Sequence, residues 1–330
     1  MTEDSKLLFD TRFFDSFFVS KFGALESARS ARYGSAYSII LIHVVSFDNG
    51  ENSPEKKRVE DFFRTVAPNI VDALRNYDVP GLLDDERLVV ILPQTDYFGS
   101  LITVKKITRA LEPFTSRGAP FASVLVTQAT FLKDADSFEG LVKVARERMS
   151  AVQLSPWENM GLKNKLFWEV IAKVTEGGLD GLDFASFDVG QHANIHESFL
   201  KRINEVIINE IERTPKKRGI LYFGTKNITD ELPFKKSLTE LKKRTETKIF
   251  IVGEGAQPDF DFKNATTIAL SDDRLSVGSF MFFLSEDSAY AMITKEAWGG
   301  SLMCFHTSDP YVVEGLITKL QRDFHLQEQL

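Results

Sequence analysis

Cysteine is all but missing from this 330-residue chain: Cys304 stands alone. That excludes a disulfide framework and any multi-cysteine metal site. Long apolar runs are also missing. The longest, Ser38–Val45 and Gly278–Leu284, fall well short of the roughly 20 residues a membrane helix needs. The opening MTEDSKLLFD lacks the basic flank and apolar stretch of a signal peptide, so a cytoplasmic location without membrane insertion is expected. There is no excess of positive charge either. With 47 acidic against 40 basic residues the formal charge is −7, and no general field favours nucleic acid or an anionic membrane. No internal repeat and no low-complexity segment interrupts the chain.

What is abundant is phenylalanine, with 28 residues against 7 tyrosines and 3 tryptophans. Phenylalanine has no polar handle, so most of these rings must be buried, which implies large cores. The length is about twice that of a typical single domain, and two domains are expected.

The order of elements supports that division. Tyr37–Phe47 (YSIILIHVVSF) is β-branched and apolar, as a central strand requires. After the turn cluster Asp48–Pro54, a helical period places Val59, Phe62, Phe63, Val66, Ile70, Val71 and Leu74 on one face. A short strand, a turn at Asp84-Asp85 and a second strand, Leu88–Leu92, read as a β-hairpin. Thr95–Leu111 is predicted helical, Phe121–Thr130 a strand and Ser137–Val152 a helix. Linker material around a short helix is predicted for 156–194. A second α/β pattern follows: a helix at His196–Glu212, strands at Gly219–Phe223 and Lys248–Val252 with a helix from Leu232 between them, and four strands near 265–270, 277–284, 288–294 and 301–306. Asp309 is predicted to cap a last helix ahead of Pro310.

Five successive blocks of the first half resemble the GGDEF family of diguanylate cyclases. Asp10–Phe18 (DTRFFDSFF) is similar to that family's leading segment, and Glu26–Gly34 (ESARSARYG) to its basic helix end. Ile39–Asp48 stands where the family has the strand "LLLIDIDHFK". Val66, Ala67, Leu74, Arg75 and Asp78 fall on "VA…LR..D", and Leu88–Thr95 (LVVILPQT) on "FVVLLPxT". The resemblance implies a mainly antiparallel central sheet flanked by helices over residues 1–155. It also shows a broken signature: the hairpin reads Asp84-Asp85-Glu86-Arg87-Leu88. Active members use two glycines there to admit the nucleotide, with a carboxylate after them to help hold Mg²⁺. Glu86 keeps an acid, but Asp84 and Asp85 bring negative charge to where phosphate would come close. On the first strand His43 and Val45 replace the family's two aspartates, a poor donor set for Mg²⁺. Gln153 replaces a phosphate-pairing lysine, and Glu60 holds the base-reading position. The resemblance therefore implies no catalytic residues, no metal and no cofactor, and no enzymatic activity.

One feature of the family is intact. Arg75-Asn76-Tyr77-Asp78 is an RxxD, separated by Val79–Leu83 from the broken signature. At this offset the resemblance implies an inhibitory-type site in which Arg75 and Asp78 bind cyclic di-GMP. A guanidinium fork suits a phosphodiester oxygen and the guanine edge. A local Arg–Asp pair is the alternative, and Leu82 replaces the family's second arginine.

Residues 195–330 resemble the DICT sensory domain through GILYFG (219–224), the helix Phe234–Thr245, KIFIVG (248–253), LSVGSFMFFL (275–284) and CFHTSD (304–309). A smaller mixed-sheet sensory or interaction domain is expected, with a PAS- or GAF-like fold as the competing assignment. His192 and His196 are expected in a loop and in the first turn of a helix rather than as metal ligands. Cys304 is expected to be an inert core thiol, and Phe280, Phe282 and Phe283 to mark a buried central strand. The expected function is that of a non-catalytic bacterial signalling protein. Cyclic di-GMP and a protein partner are its expected ligands, and homodimerisation is compatible with it. A ligand-free interaction scaffold is the alternative, and an active cyclase the remote one.

Overall fold

In the computed structural model, residues 12–46, 55–115, 123–175, 191–228, 232, 235–241, 244–255, 264–276, 278–296 and 302–326 are described. The chain divides into two units, Met1–Ala151 and Val152–Gln329. The turn cluster 48–54 lies outside the described residues.

The first unit is built on helix α1 (Ser16–Tyr33), strand β1 (Tyr37–Ser46), helix α2 (Glu55–Asp72), the hairpin β2 (Val79–Asp84) and β3 (Arg87–Pro93), helix α3 (Tyr97–Thr115), strand β4 (Ser123–Thr130) and helix α4 (Phe138–Leu154). The four strands form one sheet in the order β2-β3-β1-β4, and every pairing is antiparallel. β1 lies between β3 and β4, so both of its edges are paired; α2 packs on one face and α1 with α4 on the other, and alternate residues enter two different cores. Ile40, Ile42 and Val44 join Phe62, Phe63, Val66 and Ile70 of α2. Tyr37, Ile39 and Leu41 join Val19 of α1 and Leu141, Ala145 and Met149 of α4. This explains why the strand reads as a continuous apolar run rather than an alternating one. α1 is capped by the Asp15 carboxylate, which accepts from the Phe18 N–H at 2.7 Å, and ends at Gly34 with φ +63°. Its buried stripe is narrow and includes Gly23, where an added Cβ would stand 2.4 Å from the Phe138 ring.

The second unit contains α5 (Pro156–Asn159), a 3-10 turn (Leu162–Asn164), α6 (Phe167–Thr175), β5 (Gln191–Ile195), α7 (Glu197–Arg213), β6 (Gly219–Asn227), α8 (Lys235–Glu240), β7 (Thr247–Glu254), β8 (Thr266–Ala269), a 3-10 turn (Asp273–Ser276), β9 (Gly278–Ser285), β10 (Ala289–Glu296), β11 (Leu302–Thr307) and α9 (Pro310–Asp323). Its seven-stranded sheet has the order β5-β11-β10-β9-β6-β7-β8. It is mixed: β6, β7 and β8 run parallel, and the remaining pairs are antiparallel. Asp309 caps α9, its Oδ1 accepting from the N–H groups of Tyr311 and Val312.

Two α/β units, the first antiparallel and the second mixed, match the expected fold class. Three details correct the sequence reading. The second sheet, expected in the smaller domain, is the larger, with seven strands against four, and residues 191–195, read as linker, add an edge strand on β11. The segment 156–175, also read as linker, belongs to the second unit. Phe167 is 1% exposed, packs edge-on against Phe280, Phe282 and Phe324, and its N–H donates to Asp323. Its helix is only nine residues long, too short for a periodic signal to separate it from a connecting helix. The helix placed at 234–245 is confined, among the described residues, to Lys235–Glu240.

Candidate functional site

The turn joining α2 to β2 carries the RxxD, and the structure parts its two members. Asp78 is 4% exposed. Its Oδ2 accepts from the Arg75 backbone N–H at 2.8 Å, while its own N–H donates to the Arg75 carbonyl at 3.1 Å. The carboxylate thus closes the turn from inside. Burial pushes its pKa up; the hydrogen bond from the Arg75 N–H and the charges of Arg75, Arg12 and Lys106 offset this only in part. Its Oδ1 is buried with no hydrogen-bond partner. Arg75, by contrast, is exposed. Its guanidinium donates to the Tyr77 hydroxyl at 3.1 Å and lies 5.8 Å from the centre of that ring.

A residue the sequence reading passed over completes this turn. Arg12, at φ +62°, donates from one guanidinium nitrogen to the carbonyls of Arg75 (2.6 Å) and Asp78 (3.1 Å). It arrives here because Phe14 adds a bridge alongside Gly81 of β2. Two guanidinium groups therefore stand at one surface turn. Leu82, where the resemblance led to a missing arginine, is partly buried against the α2-side core.

The second candidate region is the β2–β3 turn. Asp84 is held at both carboxylate oxygens. Its Oδ1 accepts from the Glu86 N–H and the Arg87 Nε, both at 3.1 Å. Its Oδ2 lies 2.9 Å from Arg87 and 3.4 Å from Arg146 of α4. Asp85 and Glu86 are exposed at the tip, while Leu88 is buried in the core behind it. His43 faces Arg87 across the β1–β3 ladder, its Nδ1 3.3 Å from the Glu86 carbonyl. The side chains of Val45 and Glu60 lie outside the described residues, and Gln153 is exposed on α4. Arg146, which ties the hairpin to α4, carries no mark in the sequence, because only the packing of α4 brings it to Asp84.

In the second unit, His192 lies within β5 opposite Phe305 rather than in a loop. His196 is the N-cap of α7, its Nδ1 accepting from the Ser198 N–H at 3.2 Å. It precedes the first turn instead of belonging to it. Cys304 is 3% exposed on β11, and burial pushes its thiol up to about 11. Phe280, Phe282 and Phe283 are buried on β9, which lies between β6 and β10. Among the described residues, no group of three or more His, Cys, Asp or Glu side chains could hold a metal ion. Among the same residues, no helix is long and apolar enough to cross a membrane.

No family model matches the chain, and no curated protein matches it. Similar solved structures are GGDEF domains of diguanylate cyclases, aligned over about two fifths of the chain. The GGDEF domain of PA1120 (YfiN or TpbB) from Pseudomonas aeruginosa is 16% identical, with a TM-score of 0.38, and covers 43% of this chain and 91% of that one. The active GGEEF domain of a diguanylate cyclase from Vibrio cholerae is 11% identical, with a TM-score of 0.36, and covers 42% of this chain and 88% of the other. The GGDEF domain of DgcB from Caulobacter crescentus, in complex with c-di-GMP, is 9% identical, with a TM-score of 0.30, and covers 43% and 83% of the two chains.

Proposed function

We propose that the first unit is a GGDEF-type module that no longer cyclises nucleotide and serves cyclic di-GMP signalling as a receptor. The observation carrying the non-catalytic part is the state of Asp84. Its carboxylate stands at the entry to the hairpin turn and is tied to Arg87 and Arg146, where active members need bare glycine backbone beside the triphosphate. Binding GTP there would require breaking these pairs and setting phosphate charge against Asp84, Asp85 and Glu86. His43 is a poor donor for Mg²⁺ beside them.

The receptor part rests on the surface turn at Arg75. Its guanidinium is exposed and is the fork open to a phosphodiester, while Arg12 holds the turn that presents it. Asp78 serves this reading indirectly. Buried and bonded to the turn, it shapes the loop that presents Arg75 rather than accepting from a guanine edge itself. The second unit is read as a DICT-like sensory domain on its strand blocks GILYFG, KIFIVG and LSVGSFMFFL, with a protein as its partner.

A second reading, the ligand-free interaction scaffold, is favoured by the surface of α1. Phe17, Phe18 and Leu25 are exposed there to 72%, 40% and 65%, an apolar display of the kind that protein contacts cover. Calorimetric titration of the full chain with cyclic di-GMP separates the two. Micromolar binding that vanishes in Arg75→Ala and weakens in Arg12→Ala supports the receptor. The absence of heat at hundreds of micromolar ligand leaves the scaffold. Incubation with GTP and Mg²⁺ is expected to yield no cyclic di-GMP above a buffer control; accumulation would overturn the non-catalytic reading.

A further inference from the structure

Helix α7 covers one face of the second sheet with a stripe at Leu200, Asn204, Ile208 and Ile211, exposed to 8%, 3%, 2% and 1%. Three of these four are aliphatic, as a core-facing stripe demands. Asn204 is the exception. An amide at a position this buried costs stability unless its polar atoms find partners, yet the Asn204 Oδ1 has none. It lines a cavity of about 110 Å³ between the helix and the sheet.

The opposite wall is laid out in two rows by the β9–β10 register. Ser279 pairs with Thr294, and two residues along, Met281 pairs with Met292. The Ser279 and Thr294 hydroxyls are 2.6 Å apart, and all four residues line the cavity. One row therefore offers hydroxyls, and Asn204 adds an amide from the helix. The other offers thioethers, together with the ring of Phe223, which pairs with Met281 across β6–β9. Among the described residues no charged side chain lines it.

Size and chemistry together restrict the occupant. An apolar cavity of roughly 150 Å³ accepts a benzene ring; at about 110 Å³ this one is tighter, so a single ring is its upper limit and entry requires the flexible methionines to shift. The lining contains nothing to balance a charge, so the ligand is neutral. Asparagine presents an acceptor and a donor side by side, and its natural complement is another amide edge, where N–H and C=O adjoin.

We propose that this cavity is a binding site for a small, uncharged, planar ligand bearing an amide or lactam edge, held at that edge by Asn204 and on its face by Phe223, Met281 and Met292. The site lies wholly within the second unit. It stands or falls independently of cyclic di-GMP binding by the first.

The test is ligand-observed NMR on the full chain, with the lactam pyridone and benzamide as probes and benzene and benzoate as controls. Pyridone is expected to bind with a Kd of about 1 mM or tighter, within reach of so few atoms. Asn204→Leu should weaken it by about tenfold or more while leaving benzene binding in place. Benzoate should not compete, because its charge would be buried unpaired. Failure of both amide probes to bind at about 10 mM, pyridone binding that is indifferent to Asn204→Leu, or benzene binding as tightly as pyridone would each overturn the proposal. Should Asn204→Leu not fold, Thr294→Val decides: weaker pyridone with benzene unchanged supports the site, and unchanged pyridone rejects it.

Discussion

Replacing Phe167 by alanine probes how firmly the segment after residue 155 is built into the second unit. The ring is 1% exposed and meets four others edge-on: Trp168 at 5.1 Å, Phe280 at 5.6 Å, Phe324 at 5.9 Å and Phe282 at 6.2 Å. Phe280 and Phe282 are themselves stacked at 4.6 Å on a central strand, so they cannot collapse far into the space left behind. Buried Phe→Ala changes cost about 3–5 kcal/mol, more where the cavity stays open, which puts this one near 4 kcal/mol by the same series. In a unit of this size each kcal/mol lowers the melting temperature by about 2–4 °C, a fall of roughly 8–16 °C. All three tryptophans, Trp157, Trp168 and Trp298, belong to Val152–Gln329. Tryptophan fluorescence during urea or thermal unfolding therefore reports on the second unit alone. Leu166→Ala is the control, since that side chain is 61% exposed and its loss should stay within about 0.5 kcal/mol. A Phe167→Ala shift below about 1 kcal/mol would refute the packing argument and return the segment to the role of a connector.

Cys304, buried with its thiol pushed up to about 11, should resist alkylation in the native protein at pH 8 and react only on unfolding; rapid labelling of folded protein would contradict its burial. Asp134 accepts from two nitrogens of Arg148, at 3.0 and 2.7 Å, and from the Thr130 N–H. Burial opposes its charge, but these partners outweigh burial and hold its carboxyl below the usual range. Its contribution is therefore present above the unfolded value, about 3.9, and is lost as pH falls through the lower folded value. Arg148→Met should cost about 2–3 kcal/mol at neutral pH and flatten the acid limb of a stability–pH curve; an unchanged curve would show that the pair does nothing. Asp78 behaves in the opposite sense. With its folded pKa raised by burial, the charged form is disfavoured, and stability falls as pH rises from the unfolded value through the folded one. Asp78→Asn should remove that slope, measured by denaturant titration between pH 3 and 7, whereas Arg75→Ala should leave stability within about 0.5 kcal/mol. A large loss in Arg75→Ala would show that the arginine is structural.

How far the sequence could be read depended on the range of the interaction concerned. The β1 run, the Val59–Ile70 stripe and the Asp309-Pro310 cap are written in adjacent residues, and each formed as expected. Gln191–Ile195 escaped because a five-residue edge strand is defined by its partner β11, more than a hundred residues away. In the same way RxxD is a local pattern, but the inward turn of Asp78 is a matter of tertiary burial. The pattern could show that the arginine and the aspartate share a turn, not that only the arginine faces solvent.

By itself, then, the sequence determined the alternation of elements, the phenylalanine-rich cores and the acidic residues at the hairpin tip, because backbone preference and hydrophobic period act between near neighbours. Tertiary structure alone decided that Arg12 reaches the Arg75 turn, that Arg146 holds Asp84, and that Asn204 looks into a cavity floored by β9 and β10. Those outcomes depend on groups brought together across long stretches of chain, where what a side chain meets is set by packing and not by its place in the sequence.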